Sequence, residues 1–314
     1  GKKYTALALE KAMRARGREI RLDRLLIGAT EHPSVLAGGR FPAHRVERIG
    51  VDPEGLLRLD ALEARLAAIA AACERALVSV QLANSETGVI QPIAEIARLA
   101  RARGAILHCD AVQGAGRLAL DLPDLDVDLL SLSAHKIGGL PGVGALVSRD
   151  PEIVPMPLLP GGGQESNRRA GTPATPAIAA FGVAAEVART RSRTAGEIAS
   201  RRDWLEGQLL SISSNVKVLG AGAPRIANTT MVAVEGISAE TAVIAFDLEG
   251  VALSAGSACS SGKVGPSHVA DAMGLEPGLA RGALRLSLGP DTALEELEQV
   301  VAVWRRVMGR LVGA

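Results

Sequence analysis

Apolar runs of strand length alternate with amphipathic stretches through the first half of the chain, which predicts a parallel sheet with crossover helices. Arg24 to Gly28 reads as a short strand, Arg58 to Ala72 as an alanine-rich amphipathic helix, and Ala76 to Ala83 as a strand apolar enough to be buried. Ile93 to Arg103 follows as a helix ended by Gly104, and Ala105 to His108 and Val127 to Leu132 are further strands. Residues 6–16 carry helical spacing, while the Gly/Pro-rich stretches Gly138 to Gly144 and Pro155 to Gly163 read as loops. Helical patterns resume over Ala174 to Thr190 and Glu197 to Ile212. Strand-like runs at Asn228 to Val234 and Val251 to Ser254 then flank a helix over Ala239 to Leu248, and a last amphipathic helix spans Ala293 to Leu311. A Thr/Ser/Arg-rich linker near Arg191 sets the domain break, giving a large α/β domain over 1–191 and a smaller α+β domain over 192–314.

Composition narrows the class. The chain has 314 residues, 47% hydrophobic and 22% charged, enough to bury a sizeable core; with only 2% aromatics, Ala, Leu, Val and Ile must build it. A net charge of +1 leaves no electrostatic footprint for nucleic acid or an acidic membrane. No apolar run reaches the length of a membrane span and no secretory signal is visible, although the first residue is Gly rather than Met, so an upstream segment stays open. Cys73, Cys109 and Cys259 are widely separated and odd in number. That argues against a disulfide framework or a structural metal site and fits a reducing, cytoplasmic setting.

The chemistry gathers at strand ends. Lys136 is one of six lysines and directly follows an apolar run, at Ser131-Leu132-Ser133-Ala134-His135-Lys136. Asn84 and Asp110 also follow apolar strands, and the three are evenly spaced along the chain. Ligands of open parallel sheets bind beyond the carboxyl ends of the strands. A carboxylate facing a pyridinium nitrogen and a lysine able to form a Schiff base are the two groups that pyridoxal 5'-phosphate needs from a protein. Each residue alone has a plainer reading: a lysine snorkelling into water, a helix N-cap, a turn asparagine. Together, and at even spacing, they favour the cofactor.

These residues belong to a longer series of motifs. In order they are Glu31-His32-Pro33-Ser34-Val35-Leu36, Asn84-Ser85-Glu86-Thr87-Gly88, His108-Cys109-Asp110-Ala111-Val112-Gln113 and Ser133-Ala134-His135-Lys136. There follow Gly161-Gly162-Gly163-Gln164-Glu165, Arg168-Arg169-Ala170-Gly171-Thr172, Ser257-Ala258-Cys259-Ser260-Ser261-Gly262 and Ala283-Leu284-Arg285-Leu286-Ser287-Leu288-Gly289. With this series the chain resembles the cysteine desulfurases of the NifS/IscS type, within the class V aminotransferase family of fold-type I pyridoxal-phosphate enzymes.

The resemblance implies a role for each matching position. Lys136 would hold the cofactor, Asp110 would pair with the ring nitrogen, and Gln113 would bond the ring hydroxyl. His32 would stack on the ring and is the nearest candidate to favour a thiolate. Ser133 and His135 would contact the phosphate, and Thr172 would reach the phosphate of a neighbouring subunit in a homodimer. Asn84 and Arg285 would hold the substrate carboxylate, for which an Arg fork is well shaped. Cys259 lies among small residues only, which predicts a mobile loop carrying the sulfur; Cys73 and Cys109 read as packing residues.

The implied activity is conversion of L-cysteine to L-alanine with a persulfide on Cys259, the sulfur passing to an acceptor such as an iron–sulfur scaffold protein. Two further readings stand beside it. A class V aminotransferase or selenocysteine lyase would share the cofactor, and a cofactor-free relative would act as a binding partner. A cysteine in a Gly/Ser stretch speaks against a transaminase, and Lys136, Asp110 and Cys259 together speak against a non-enzyme. One departure stands out: Gly1-Lys2-Lys3-Tyr4-Thr5 does not match the glycine-, threonine- and glutamate-rich phosphate loop of the family, so that loop is expected to be missing here.

Overall fold

The run Ala76–Gln81 is buried at every position, as a strand covered on both faces of a parallel sheet must be. It belongs to the first of two units into which the chain divides: residues 1–50, 57–83 and 91–192, against 51–56, 84–90 and 193–314. The computed structural model describes the backbone of residues 12–15, 18–192, 195–256 and 267–312.

Strands of the first unit are, in chain order, β1 (Ala12–Ala15), β2 (Arg18–Arg21), β3 (Arg24–Gly28), β4 (Val46–Ile49), β5 (Ala76–Gln81), β6 (Ile106–Asp110), β7 (Leu129–Ser133), β8 (Gly144–Ser148) and β9 (Val154–Pro155). Six of them form one sheet in the order β4-β3-β5-β6-β7-β8. All neighbours are parallel except β8, which runs antiparallel to β7. The connections between parallel strands include the helices Leu59–Ala71 and Ile93–Ala102, which bury Leu62, Leu66 and Ile69, and Ile93, Ile96, Ala97, Leu99 and Ala100 respectively.

Two expectations from sequence are corrected here. The helical spacing over residues 6–16 is not a helix where the chain is described: β1 pairs antiparallel with β2 on one side and β9 on the other. Pairing with two neighbours overrides the periodicity of a short segment; residues 1–11, with the stretch 1–5 that departs from the family's phosphate loop, lie outside the described residues. Cys73 does not pack. It is exposed, one residue beyond the C-cap Ala72, with a φ of 56°, the left-handed geometry that ends a helix and that glycine usually supplies. Cys109, by contrast, is fully buried in β6.

The second unit holds an antiparallel sheet of β10 (Val216–Val218), β11 (Thr229–Val234), β12 (Ser254–Ala255) and β13 (Ala283–Ser287), in the order β10-β11-β13-β12. The strand-like run from Val251 pairs only at Ser254 and Ala255. Helices Ala195–Ile212, Ala239–Leu248 and Leu294–Val312 supply Leu205, Leu209, Phe246, Trp304 and Val307 to a core shared with Leu284 and Leu286. Phe246 and Trp304 are both fully buried, their ring centroids 5.3 Å apart. In a chain so poor in aromatics this pair fills volume that aliphatic neighbours would have to reorganise to replace. The segment 84–90 joins this unit through Ile90 N–H to Pro224 O and Ile226 N–H to Gly88 O. Gly88 takes a φ of 79°, and a Cβ there would sit 3.2 Å from the Thr229 carbonyl oxygen. Among the described residues no helix is long and apolar enough to cross a membrane.

Phe246→Ala should cost about 3–5 kcal/mol, the range for truncating a large buried ring. Urea denaturation followed by fluorescence of Trp304 and Trp204 checks this.

Candidate active site

Because β3, β5, β6 and β7 run parallel, their carboxyl ends share one edge of the sheet, where such sheets bind ligands. That edge carries Thr30, Glu31 and His32 just past β3, Gln81 at the end of β5, Asp110 at the end of β6 and Ser133 at the end of β7. His135 and the half-buried Lys136 follow in the short 3-10 helix Ala134–Lys136. One strand edge thus gathers Asp110, Ser133, His135, Lys136 and His32.

The strands are tied together beneath that edge by a group that sequence reasoning assigned no role. His108 is fully buried, with Nδ1 2.7 Å from Ser79 Oγ on β5 and Nε2 2.8 Å from Ser131 Oγ on β7. Burial lowers its pKa to about 3, so the ring is neutral and one serine donates to it while the other accepts. The signal was present as three polar residues inside otherwise apolar runs.

Asp110 is 7% exposed, and its Oδ1 accepts from Val112 N–H at 3.0 Å. Burial pushes its carboxyl up to about 6, against the lowering effect of that hydrogen bond. Glu31, also without an assigned role, is buried, and its Oε1 accepts from Gln81 N–H at 2.7 Å. Burial holds its pKa well above the carboxylate range; the Gln81 bond opposes this and the Asp110 charge adds to it. Gln81 is anchored in turn by Nε2–H donation to Thr30 O and Oγ1. The edge therefore holds two buried acids side by side, both shifted upward by burial, with the Asp110 charge adding to the shift of Glu31.

His32 is the N-cap of the short helix Pro33–Leu36. Its Nδ1 accepts from Ser34 N–H at 3.1 Å and lies 2.7 Å from Ser34 Oγ. A backbone N–H can only donate, so Nδ1 is the acceptor nitrogen and the ring orientation is set. Gln113 is half-buried in the turn after β6, its carbonyl accepting from Arg117. Ser133 Oγ and His135 Nδ1 are 2.9 Å apart. Partial desolvation, and then the Lys136 charge, lower the His135 pKa. Thr172 is exposed. Cys109 is shielded in β6, where burial, then the charges of Asp110 and Glu31, raise its thiol pKa well above normal.

The second unit assembles its own polar group. Asn84 Oδ1 accepts from Glu86 N–H, Thr87 N–H and Thr87 Oγ1, so the carbonyl shapes a turn. Arg285 on β13 donates through Nη1 to Ser85 O at 3.1 Å and through Nη2 to Ser254 Oγ at 3.3 Å. Its Nε is buried with no acceptor among the described residues, so the guanidinium is held by two neutral oxygens and keeps donors for an anion. Glu86 is 5% exposed and receives Ser267 Oγ–H at 2.5 Å. Burial raises its pKa to about 7, with the Ser267 bond and the Arg285 charge pulling the other way. Cys259 lies outside the described residues with the rest of 257–266, whereas Ser254 and Ala255, at the start of the predicted mobile loop, pair with β13 as β12.

In chemical terms, the first unit offers a buried acid, a primary amine, an oriented imidazole and a hydroxyl–imidazole pair; the second offers an arginine with spare donors. The model of the aminotransferase class-V family matches residues 6–300. The chain belongs to that family. Among class-V relatives, a cysteine desulfurase of Klebsiella pneumoniae is 40% identical, over 91% of this chain and 72% of its own length. One of Rhodobacter capsulatus is also 40% identical, over 91% of this chain and 74% of its own. A NifS-like protein from Rickettsia africae superposes with a TM-score of 0.81 at 32% identity, covering 91% of this chain and 75% of that one. SspA in complex with cysteine superposes with a TM-score of 0.66 at 28% identity, covering 87% and 75%. The expected fold class, the pyridoxal-phosphate transferase fold type I, agrees with these neighbours and with the mostly parallel sheet of the first unit.

A raised folded-state pKa means that Asp110 binds its proton more tightly folded than unfolded, so its effect on stability worsens as pH rises from about 4 through about 6. In cofactor-free protein, Asp110→Asn should gain about 2 kcal/mol relative to wild type between about pH 4.5 and about pH 7.5. Urea denaturation of both proteins at the two pH values measures it.

Proposed function

We propose that the protein is a pyridoxal 5'-phosphate-dependent cysteine desulfurase, converting L-cysteine to L-alanine and leaving the sulfur as a persulfide on Cys259. The observation that carries the reading is the buried Asp110 at the end of β6, on the same strand edge as Lys136. Among the described residues no cationic side chain forms an ion pair with Asp110, and burial alone makes its charge costly. A pyridinium N–H would be the missing counter-charge. The Ser133–His135 pair suits phosphate oxygens, the amine of Lys136 suits the aldehyde, and the fixed ring of His32 suits stacking; the residues present fit the cofactor. Gln113, in the turn after β6, would bond the ring hydroxyl.

When bound, pyridoxal phosphate supplies an electron sink for the charge left on the substrate α-carbon. The chain's own residues do the rest. Arg285, with the Asn84 amide, would hold the substrate carboxylate through the donors that Ser85 and Ser254 leave open. Lys136 Nζ would hold the cofactor and, once displaced by the substrate amine, take the α-proton. The Cys259 thiolate would attack the substrate sulfur, so that a sulfur–sulfur bond forms as the carbon–sulfur bond breaks; the β-carbon takes up the proton that the thiol gave to solvent, the α-carbon takes back the proton held by Lys136, and alanine leaves. A free thiol has a pKa of about 8.5, so its ionisation needs local help, for which His32 is the candidate by motif.

The relatives named cysteine desulfurase support the reaction, and a solved neighbour in complex with cysteine supports the substrate. The exposure of Thr172 suits a role toward the cofactor phosphate of a second subunit, hence a homodimer. The persulfide would pass to an acceptor such as an iron–sulfur scaffold protein in the cytoplasm.

Alanine and persulfide are the readouts. With the cofactor and L-cysteine, wild type should form both, whereas Cys259→Ala and Lys136→Ala should each lose at least about 100-fold in alanine formation. Cofactor absorbance should persist in the Cys259 variant and vanish in the Lys136 variant. Undiminished alanine formation by Cys259→Ala would rule out the persulfide route.

A further inference from the structure

The second unit contains a buried acid for which the reaction as described has no use. Glu86 sits between the two segments that bracket residues 257–266, the stretch in which Cys259 falls. On the C-terminal side, Ser267 donates its hydroxyl proton to Glu86 Oε2 at 2.5 Å, while Ser267 Oγ accepts from Ala270 N–H at 3.1 Å as the N-cap of helix His268–Ala272. The bonds run in one direction, amide to hydroxyl to carboxyl, so the carboxyl is the end acceptor that orients the cap. On the N-terminal side, Gly256 packs directly on the same group: a Cβ there would lie 2.8 Å from Glu86 Oε2 and equally close to Ser267 Cβ and Met231 Cε. Both flanks of the cysteine-bearing stretch therefore rest on one carboxyl.

The same residue is tied to the anion-binding arginine. Arg285 grips the carbonyl of Ser85, immediately before Glu86, and the hydroxyl of Ser254, two residues before Gly256. The Glu86 N–H itself bonds Asn84 Oδ1. No nitrogen of Arg285 forms an ion pair with Glu86 among the described salt bridges, yet the arginine's positive charge reaches it. A glutamine could make the Ser267 contact without the cost of burying an ionisable group. What the carboxyl adds is charge beside Arg285, opposing that of any incoming carboxylate.

We infer that Glu86 is a positioning residue that couples binding of the substrate carboxylate at Arg285 to the placement of the two flanks of the cysteine-bearing stretch. The inference rests on the desulfurase reading and deepens it. An arriving carboxylate takes up the arginine's charge, the field that favours ionised Glu86 weakens, and the hold of Glu86 on Ser267 loosens. Recognition of the amino-acid end of the substrate is thereby transmitted to the residues that carry the acceptor thiol.

Three measurements on the cofactor-loaded protein test this. The first is the cysteine concentration that half-saturates the cofactor's spectral change, in a Cys259→Ala background where turnover is blocked. The second is the single-turnover rate of persulfide formation with Cys259 intact, followed by mass spectrometry. The third is hydrogen exchange of residues 267–273 with and without cysteine, again in the Cys259→Ala background. Glu86→Gln should tighten half-saturation about 3-fold or more, because a charge competing for Arg285 is gone, and should slow persulfide formation about 5-fold or more. Exchange in residues 267–273 should rise on adding cysteine when Glu86 is present and not when it is Gln. Ser267→Ala should slow persulfide formation with half-saturation unchanged.

Weaker or unchanged cysteine binding in Glu86→Gln, a persulfide rate equal to wild type, or an exchange response indifferent to Glu86 would each overturn the coupling. A wild-type protein that binds cysteine but never forms a persulfide would instead overturn the desulfurase reading. The exchange comparison keeps the two failures apart.

Discussion

The alignment of parallel strand ends is the constraint on which the first unit's chemistry depends. Asp110 can be buried at the end of β6 only because β5 and β7 flank it in register, and that register is held below by His108 bridging Ser79 and Ser131. A neutral imidazole between two hydroxyls satisfies three buried polar side chains at once, where an unmatched one would cost about 1–3 kcal/mol. The sheet then presents Asp110, Ser133 and Lys136 from neighbouring strand ends, with no loop needed to place the acid. A ligand with a cationic ring nitrogen gains from that acid without any rearrangement, which is the value of a site prepared in advance.

Burial sets the charge states along that edge. Glu31 and Asp110 are both deeply buried, but Glu31 also feels the Asp110 charge and is held well above the carboxylate range, while Asp110 settles near 6. Two buried acids this close oppose each other's ionisation, so a cation beside Asp110 would favour its charged form. The second unit repeats the theme with Glu86 beside Arg285.

What could be seen in the sequence follows from how burial writes itself into a pattern. β5 and β7 were visible because strands covered on both faces are nearly continuous in apolar residues, and Asp110 and Lys136 were visible because they interrupt or follow such runs. β4, Val-Glu-Arg-Ile, went unseen because half of it is charged and it lies at the sheet edge. β1 looked helical because four residues carry too little periodicity to oppose strand pairing. Cys73 looked like packing because its neighbours are alanines, yet the helix ends just before it. Glu31 and Glu86 stood inside motifs without attracting notice, since nothing local tells a buried glutamate from a solvated one; their burial comes from strands and helices distant in sequence, Gln81 in one case and Ser267 in the other.

The central claim is that the strand edge bearing Asp110 and Lys136 holds pyridoxal phosphate through that lysine. Borohydride reduction of the cofactor-loaded protein, followed by peptide mapping, tests it most directly. The expected result is a stable pyridoxyl label on Lys136 and on none of the other five lysines. A label on a different lysine, or none at all after loading, would contradict it.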